Sequence, residues 1–293
     1  MPAGIVHALH GERLWKRLEK EHRVLKEHLV KDAFEWGKQG PDFLFCHRFF
    51  PWQKGENLRE LGSRLHSEPP EKTLRALAHC WKQENDPAVR SYILGFLCHY
   101  SLDRTCHPYI EDLSRTLLEK EPEQTEDIFH NEIESALDGI VLRWERGKLP
   151  PEFPLGTCFP KNEEVQAAIA RVYGQVFQEL FGLQGKEEEI LQAEKDARFT
   201  FRMLTDRTGL KKQAVDRLER GKPRTISCHL RGIVENGDID YANTFRQPWT
   251  DRQGHVRTED FFQLFEEGEE DAYQLLSAFP DGNWEPLVQG RFF

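Results

Sequence analysis

The chain has 293 residues, of which 38% are hydrophobic and 31% are charged. This length is enough for one large domain or two smaller ones with a core, and the composition disfavours fibrous, disordered and membrane-spanning proteins. The net charge of -10 disfavours a general nucleic-acid-binding protein, because phosphate backbones are bound mainly by Lys and Arg. The first residues include neither a basic leader nor an apolar segment, so we expect a cytoplasmic protein whose six cysteines are reduced and mostly buried.

Apolar residues recur at steps of three and four along most of the chain, which predicts an all-α protein. The first predicted helix is long, with Leu14 and Phe34 among its apolar positions, and it ends at Gly37 and the QGPD turn. Pro108 is expected to end the helix before it. We expect residues 1–207 to form a helical domain and residues 208–293 to form a less regular extension packed on the same domain. The other predicted helices are 56–66, 71–84, 88–107, 109–119, 124–146, 163–182, 187–206 and 258–277.

Two segments each have two interpretations. The basic stretch LKKQAVDRLERGKPR at 210–224 could be a nucleic-acid-binding helix or an ordinary solvated face, and we favour the solvated face. The aromatic stretch FLFCHRFFPW could be a lipid-facing rim or a segment packed in the core, and we favour core packing. The aromatic residues in question are Phe43, Phe45, Phe49, Phe50 and Trp52.

The densest group of histidines has the spacing of metal ligands on a helix. His99, Asp103 and His107 are each four residues apart, so their side chains share one helix face. His130 and Glu134 repeat the spacing on a second predicted helix, with Glu132 and Asp138 nearby. Two such helices side by side could enclose a metal ion. Imidazole nitrogen together with carboxylate oxygen favours zinc, whereas oxygen ligands alone would favour calcium or magnesium.

A purely structural explanation is the alternative. Asp103 follows the apolar sequence SYILGFLCHYSLD, where an unpaired buried carboxylate would be costly, and Arg104 could neutralise it. That explanation leaves His99 and His107 without a role, so we favour a metal. Three more residues could complete the ligand set, although each is weak evidence alone: His7, Asp42 in the GPDFLF turn and His66.

Taken in order, His7, Asp42, His66, His99, Asp103, His107, His130 and Glu134 resemble the ligand pattern of the zinc-dependent phospholipase C family. The resemblance covers about residues 2–140 and includes the QGPD turn and the GFLCHYSLDRTCHPY block. The family shares its fold with secreted single-strand nucleases. The resemblance implies an all-helical domain with two or three zinc ions that hydrolyses phosphate esters.

The resemblance also implies a role for each residue. One zinc would be bound by His99, Asp103, Asp42 and His66, and Asp103 would bridge to a second zinc bound by His7 and an α-amino group. The third would be bound by His107, His130 and Glu134, although His107 follows Asp103 more closely than in the secreted enzymes. Those enzymes use an amino-terminal tryptophan for the amine, so the Pro2 amine, after removal of Met1, is the expected ligand here. Asp42 is also the candidate general base.

We therefore expect a zinc-dependent phosphoester hydrolase, most similar to phospholipase C, that uses a metal-activated water. A nuclease or phosphatase of the same fold is one alternative. A non-catalytic helical scaffold that is stabilised by zinc and binds a protein partner is the other. The expected partner is a phosphoester substrate, with a phospholipid and peripheral membrane contact favoured over nucleic acid.

Overall fold

The computed structural model describes residues 4–21, 29–50 and 52–293. The fold is all-α, as the periodicity predicted. Strands within the described ranges are limited to β1 (Trp249–Thr250) and β2 (Val256–Arg257), which pair antiparallel. Short 3-10 helices cover Gly40–Cys46, Pro150–Glu152, Leu155–Cys158 and Ser227–His229. The α-helices are α1 (Gly4–Glu21), α2 (Lys31–Gly37), α3 (Arg59–Ser67), α4 (Pro70–Gln83), α5 (Pro87–Lys120), α6 (Glu126–Arg146), α7 (Glu163–Phe181), α8 (Glu187–Leu204), α9 (Leu210–Leu218), α10 (Phe261–Ala278) and α11 (Glu285–Val288).

The prediction of one long first helix is wrong. Among the described residues of this region, α1 covers Gly4–Glu21 and a separate helix, α2, covers Lys31–Gly37, and Val30 just before α2 has an extended backbone. Packing against α5 sets the position of α2. The Val30 N–H donates to Ser91 Oγ at 2.8 Å, and Gly37 and Gly95 lie so close that a Cβ on either would overlap the facing backbone. Apolar spacing alone does not report this close approach between two helices.

Pro108 does not end a helix, so that prediction is also wrong. The residue lies inside α5, which continues unbroken to Lys120. Proline removes one main-chain hydrogen bond, but burial of the residues around it stabilises the helix across that position. Cys106, Tyr109 and Ile110 are all buried there.

The long helix α5 lies at the centre of the molecule, with α2, α6 and α10 packed around it. Helix α5 makes both polar and apolar contacts with the C-terminal segment. Arg104 Nε donates to Asp271 Oδ2 of α10 at 2.6 Å, and the Phe293 ring lies 4.9 Å from the Tyr100 ring. The division of the chain at residue 207 stays a prediction.

All six cysteines are buried, and none forms a disulfide bond within the described part of the chain. None of the described helices is both long enough and apolar enough to cross a membrane.

Candidate metal centre

Three candidate ligands come from α5, and their side chains converge. Asp103 lies between the two histidines, with its Oδ2 atom 3.0 Å from His99 Nε2 and its Oδ1 atom 3.5 Å from His107 Nε2. The four-residue steps place all three on one side of the helix. His99 and Asp103 are buried, and His107 is half-buried.

Helix α1 and the turn before α3 complete a first group around Asp103. His7 Nε2 lies 3.1 Å from Asp103 Oδ1, and Asp42 Oδ2 lies 3.8 Å from His99 Nε2. One potential ligand atom from each of His7, Asp42, His99 and Asp103 lies within 4.8 Å of the others. All four residues are buried.

His66 of α3 is adjacent to this first group. Its Nε2 atom lies 3.1 Å from Asp42 Oδ1, while its Nδ1 atom is 2.8 Å from the carbonyl oxygen of Gly62 one turn earlier. The backbone contact holds the ring so that Nε2 points toward Asp42. Asp42 is thus flanked by His66 on one oxygen and by His99 on the other.

A second group joins the end of the α5 cluster to α6. His130 Nε2 and His107 Nε2 lie 3.3 Å and 3.7 Å from Glu134 Oε1. These three residues also have ligand atoms within 4.8 Å of one another. Because His107 contacts both Asp103 and Glu134, the two groups form one continuous cluster.

In the QGPD turn, which carries Asp42, the backbone at Gly40 lies unusually close to the His99 ring. Gly40 has φ +53°, and a Cβ at this position would overlap the His99 ring. The Tyr92 hydroxyl donates to the Gly40 carbonyl at 3.2 Å and ties the turn to α5. Glycine is therefore required for both the left-handed backbone and the space that His99 occupies.

Asp138 positions His7 without contacting it. Asp138 Oδ1 accepts hydrogen bonds from the Ile5 and Val6 N–H groups at 2.9 Å and 2.8 Å, and Oδ2 accepts from Arg231 Nε at 2.8 Å. These bonds fix the first turn of α1 against α6 and satisfy two of the N–H groups that a helix start leaves free. The sequence placed Asp138 near the centre but gave no indication of this role.

Charge interactions favour protonated histidines in the cluster when no cation is bound. Burial opposes protonation of His66, but the hydrogen bond to Asp42 outweighs it and raises the His66 pKa to about 8. Burial likewise opposes protonation of His7, and Asp103 raises the His7 pKa despite it. Both effects reflect carboxylates that attract positive charge into a buried site.

The pKa values of the three carboxyl groups of the cluster, Asp42, Asp103 and Glu134, are lowered. Burial alone would raise their pKa values, but the neighbouring imidazoles lower the pKa of Asp42 and Glu134 and bring that of Asp103 well below its usual range. The carboxylates are therefore ionised at neutral pH. Buried carboxylates of this kind require cationic partners or metal ions.

The donor set fits zinc. All five histidines direct Nε2 toward a carboxylate of the cluster. Two buried atoms, His99 Nε2 and Glu134 Oε2, have no hydrogen-bond partner among the residues that the structure describes. His99 belongs to the first group and Glu134 to the second, so a cation bound in each group would satisfy these atoms, and the mixture of imidazole and carboxylate ligands is one that zinc accepts.

Arg104, the alternative cationic partner for Asp103, contacts other residues. Arg104 forms ion pairs with Asp271 and donates to the Leu287 carbonyl, so it does not neutralise Asp103. Pro2, the remaining predicted ligand, lies outside the described residues.

An open cavity of about 590 Å³ lies over the cluster. Asp42, His66, His107, His130 and Glu134 line one part of it. The other lining residues were not among the predicted ligands, although Arg59 and Ser63 lie seven and three residues before His66 on the same helix. They include Phe45, Arg59, Ser63, Asn131, Arg252 and Phe293.

The aromatic segment at 43–52 divides between core and surface. Phe43 is buried, as the core interpretation expects, whereas the exposed fraction of Trp52 is 67%. Phe45 is half-buried and contacts the His66 ring at 5.5 Å. Core packing is therefore correct for Phe43 and wrong for Trp52.

Comparison with protein families gives a match to the model described as zinc dependent phospholipase C, over residues 6–182. The matched range includes every ligand candidate from His7 to Glu134. Comparison with curated proteins and with solved structures finds no match. The family match covers more than half of the chain and includes the helices that build the cluster, so the protein belongs to the zinc-dependent phospholipase C family.

Proposed function

We propose that the protein hydrolyses phosphate esters at this cluster and that its substrate is a phospholipid. The observation that carries the proposal is the convergence of five imidazoles and three carboxylates at the floor of an open cavity. Bound zinc supplies a Lewis acid for phosphoryl oxygens and lowers the pKa of water. The residues that would hold it are His7, Asp42, His66, His99, Asp103, His107, His130 and Glu134, with the Pro2 amine as a further predicted ligand.

Asp42 is assigned the role of general base. Asp103 has His7, His99 and His107 around its two oxygens and does not line the cavity. Asp42 does line the cavity, and its carboxylate is ionised at neutral pH. It can therefore accept a proton from water in the cavity at Oδ1, beside His66, while Oδ2 stays beside the buried His99.

Arg59 is assigned to the phosphate group of the substrate. It lines the cavity, and within the described ranges it forms no ion pair with a carboxylate, while its Nη2 atom donates to the Arg48 carbonyl at 3.4 Å. Arg252 also lines the cavity, but Glu111 accepts hydrogen bonds from its guanidinium group. Arg59 is thus the cavity cation that remains available for an incoming anion, and guanidinium groups suit phosphate oxygens.

The aromatic residues of the cavity support a lipid substrate. Phe45, which is half-buried, and Phe293, which is buried apart from its place in the cavity lining, have rings 5.5 Å and 5.0 Å from the His66 ring. They give an apolar border to a polar floor, which matches a phosphodiester attached to a glyceride. The net charge of -10 supports lipid over nucleic acid. A cytoplasmic location stays a prediction.

The test compares three substrates: phosphatidylcholine vesicles, a soluble chromogenic phosphodiester and a single-stranded oligonucleotide. We expect phospholipid hydrolysis that a chelator abolishes and added zinc restores. Asp42→Asn should lower kcat by about 10²–10⁴-fold. His79→Ala is the matched control, because this exposed histidine pairs with Glu179 away from the cavity.

Two results would contradict the proposal. Zinc-loaded, folded protein that hydrolyses none of the three substrates would favour the non-catalytic scaffold. Faster hydrolysis of the oligonucleotide than of the phospholipid would favour a nuclease of the same fold.

A further inference from the structure

A second cavity, of about 760 Å³, lies beside α8 and is strongly basic. We call it the basic groove. Lys195, Arg198 and Arg202 of α8 line one part, and Arg207 and Lys211 line another. Five cations around one groove are notable in a chain whose net charge is -10.

These cations have no carboxylate partners. Within the described part of the chain, none of the five forms an ion pair, although ion pairs are numerous elsewhere on the surface. Lys211 Nζ donates only to the backbone carbonyls of Met203 and Thr205. The positive charge of the groove is therefore available to an external anion.

Asp206 is the acidic residue in the groove, and its carboxylate is already used. One oxygen accepts from the Thr208 and Gly209 N–H groups at 3.2 Å and 2.9 Å, and the other accepts from the Lys212 N–H at 2.8 Å. These bonds shape the start of α9, and they lower the pKa of Asp206 although burial opposes this. Asp206 thus organises the backbone and does not pair with the groove cations.

Large apolar side chains stand exposed around the same groove. Phe199 and Met203 of α8 are 40% and 44% exposed, and Leu210 of α9 is 64% exposed. Trp52 extends this apolar rim, since it stacks on Phe50 at 4.6 Å and Phe50 contacts Phe199 at 5.4 Å. Exposed apolar residues next to unpaired cations are typical of proteins that bind at a membrane surface.

The rim is held rigidly by α8. Asp196, which is buried, accepts from the Arg48 N–H at 2.8 Å and from Gln53 Nε2 at 2.9 Å. These bonds fix both sides of the segment that carries Phe50 and Trp52. The exposure of Trp52 is therefore imposed by the fold.

The rim is also connected to the metal cavity. Phe49 contacts Phe50 at 5.3 Å, and the guanidinium group of Arg59 lies 5.1 Å from the centre of the Phe49 ring. Arg59 itself lines the cavity over the cluster. A continuous row of side chains thus leads from the basic groove to the proposed phosphate position.

We propose that the basic groove and its rim dock the protein on a membrane that contains anionic phospholipids. The cations would contact headgroup phosphates, while Trp52, Phe199 and Leu210 would enter the interfacial layer. The choice of a lipid over other polyanions rests on the proposed function. Docking needs no hydrolysis, so the two proposals are tested separately.

The experiment measures binding to vesicles of phosphatidylcholine alone and of phosphatidylcholine mixed with phosphatidylglycerol. The test variant carries Lys195→Glu and Arg202→Glu. The control variant carries Lys82→Glu and Lys120→Glu, which make the same change in net charge at exposed positions outside the groove. Zinc content and the midpoint of urea unfolding show whether each variant keeps its fold.

We expect the wild type to prefer the anionic vesicles and to dissociate as salt is added. Each cation near a membrane surface contributes about fivefold to binding, so the test variant should bind at least about 25-fold more weakly. The control variant should bind like the wild type. Trp52→Ser should weaken vesicle binding while the salt dependence of that binding remains.

Equal binding of both vesicle types, or equal loss in the test and control variants, would overturn the proposal. If the test variant binds vesicles as the wild type does but no longer binds a single-stranded oligonucleotide that the wild type binds, the groove would be assigned to nucleic acid instead. A wild type that binds anionic vesicles but hydrolyses no phosphodiester would uphold the docking surface and refute the proposed function.

Discussion

Glu194 provides a stability prediction next to the metal centre. Its side chain has no exposed surface, and its helix, α8, packs against the Gly40–Cys46 segment that carries Asp42. Burial raises the pKa of Glu194 to about 9, and the nearby Gln166 and Lys195 offset only part of that shift. The folded protein therefore keeps a proton on Glu194 at neutral pH, whereas the unfolded chain does not.

This difference in bound protons makes the free energy of unfolding depend on pH. Because the folded state binds the extra proton, the stability from this group is complete below pH 4.5 and is lost as the pH rises toward 9. Each pH unit in this window costs about 1.4 kcal/mol of unfolding free energy. From pH 5 to pH 8 the loss amounts to about 4 kcal/mol.

Glu194→Gln keeps the shape of the side chain and removes the titration. The unfolding free energy of the variant minus that of the wild type should rise by about 4 kcal/mol between pH 5 and pH 8. Urea unfolding of both proteins at several pH values measures this difference in unfolding free energy. The contributions of the other titrating groups are the same in both proteins and cancel. Glu164→Gln, at an exposed position of α7, is the control and should change stability little. A Glu194→Gln difference that does not vary with pH would refute the reasoning.

Three further substitutions test how the centre is positioned and used. Gly40→Ala should cost about 1–3 kcal/mol of unfolding free energy from the left-handed backbone alone, and it should lower zinc content by displacing His99; an unchanged zinc content would contradict this. Asp138→Ala should cost about 3–5 kcal/mol in urea unfolding, because it breaks a buried ion pair and frees the turn before His7; a wild-type midpoint would contradict that role. Arg59→Ala should lower kcat/KM for phospholipid by about 10–100-fold with zinc content unchanged, and wild-type kinetics would exclude a phosphate contact.

The sequence was most informative where the ligands share a helix. Four-residue steps predict a common face for His99, Asp103 and His107, and in the structure Asp103 lies within 3.5 Å of both histidines. The meeting of α5 with α6 at Glu134 depends on tertiary packing, which spacing does not encode. The expectation that His107, His130 and Glu134 bind one zinc together came from the family resemblance.

The failed helix predictions have a common physical reason. Spacing reports which residues face a core, but it does not report how closely two helices approach. Val30 is extended just before α2, which packs closely against α5 at Gly37 and Gly95, and burial around Pro108 carries α5 past a residue that usually ends helices. Both outcomes depend on contacts between distant parts of the chain.

Arg104 and Arg59 illustrate the limit for single side chains. Arg104 is adjacent to Asp103 in sequence but points to Asp271, because neighbouring helix residues are directed about 100° apart. Arg59 lies seven residues before the ligand His66 on the same face of α3, and it lines the cavity over the ligands. Assigning Arg104 required the positions of helices that meet only in the folded chain, whereas helical spacing from His66 could have indicated Arg59.

The most direct test of the central claim is the number of zinc ions bound per chain, measured by elemental analysis of the wild type and of Asp103→Asn. The variant keeps the shape of the side chain but removes the charge that lies between His7, His99 and His107. The account predicts more than one zinc ion per wild-type chain and a sharp loss in the variant. A wild type without zinc, or a variant with the full wild-type content, would contradict it.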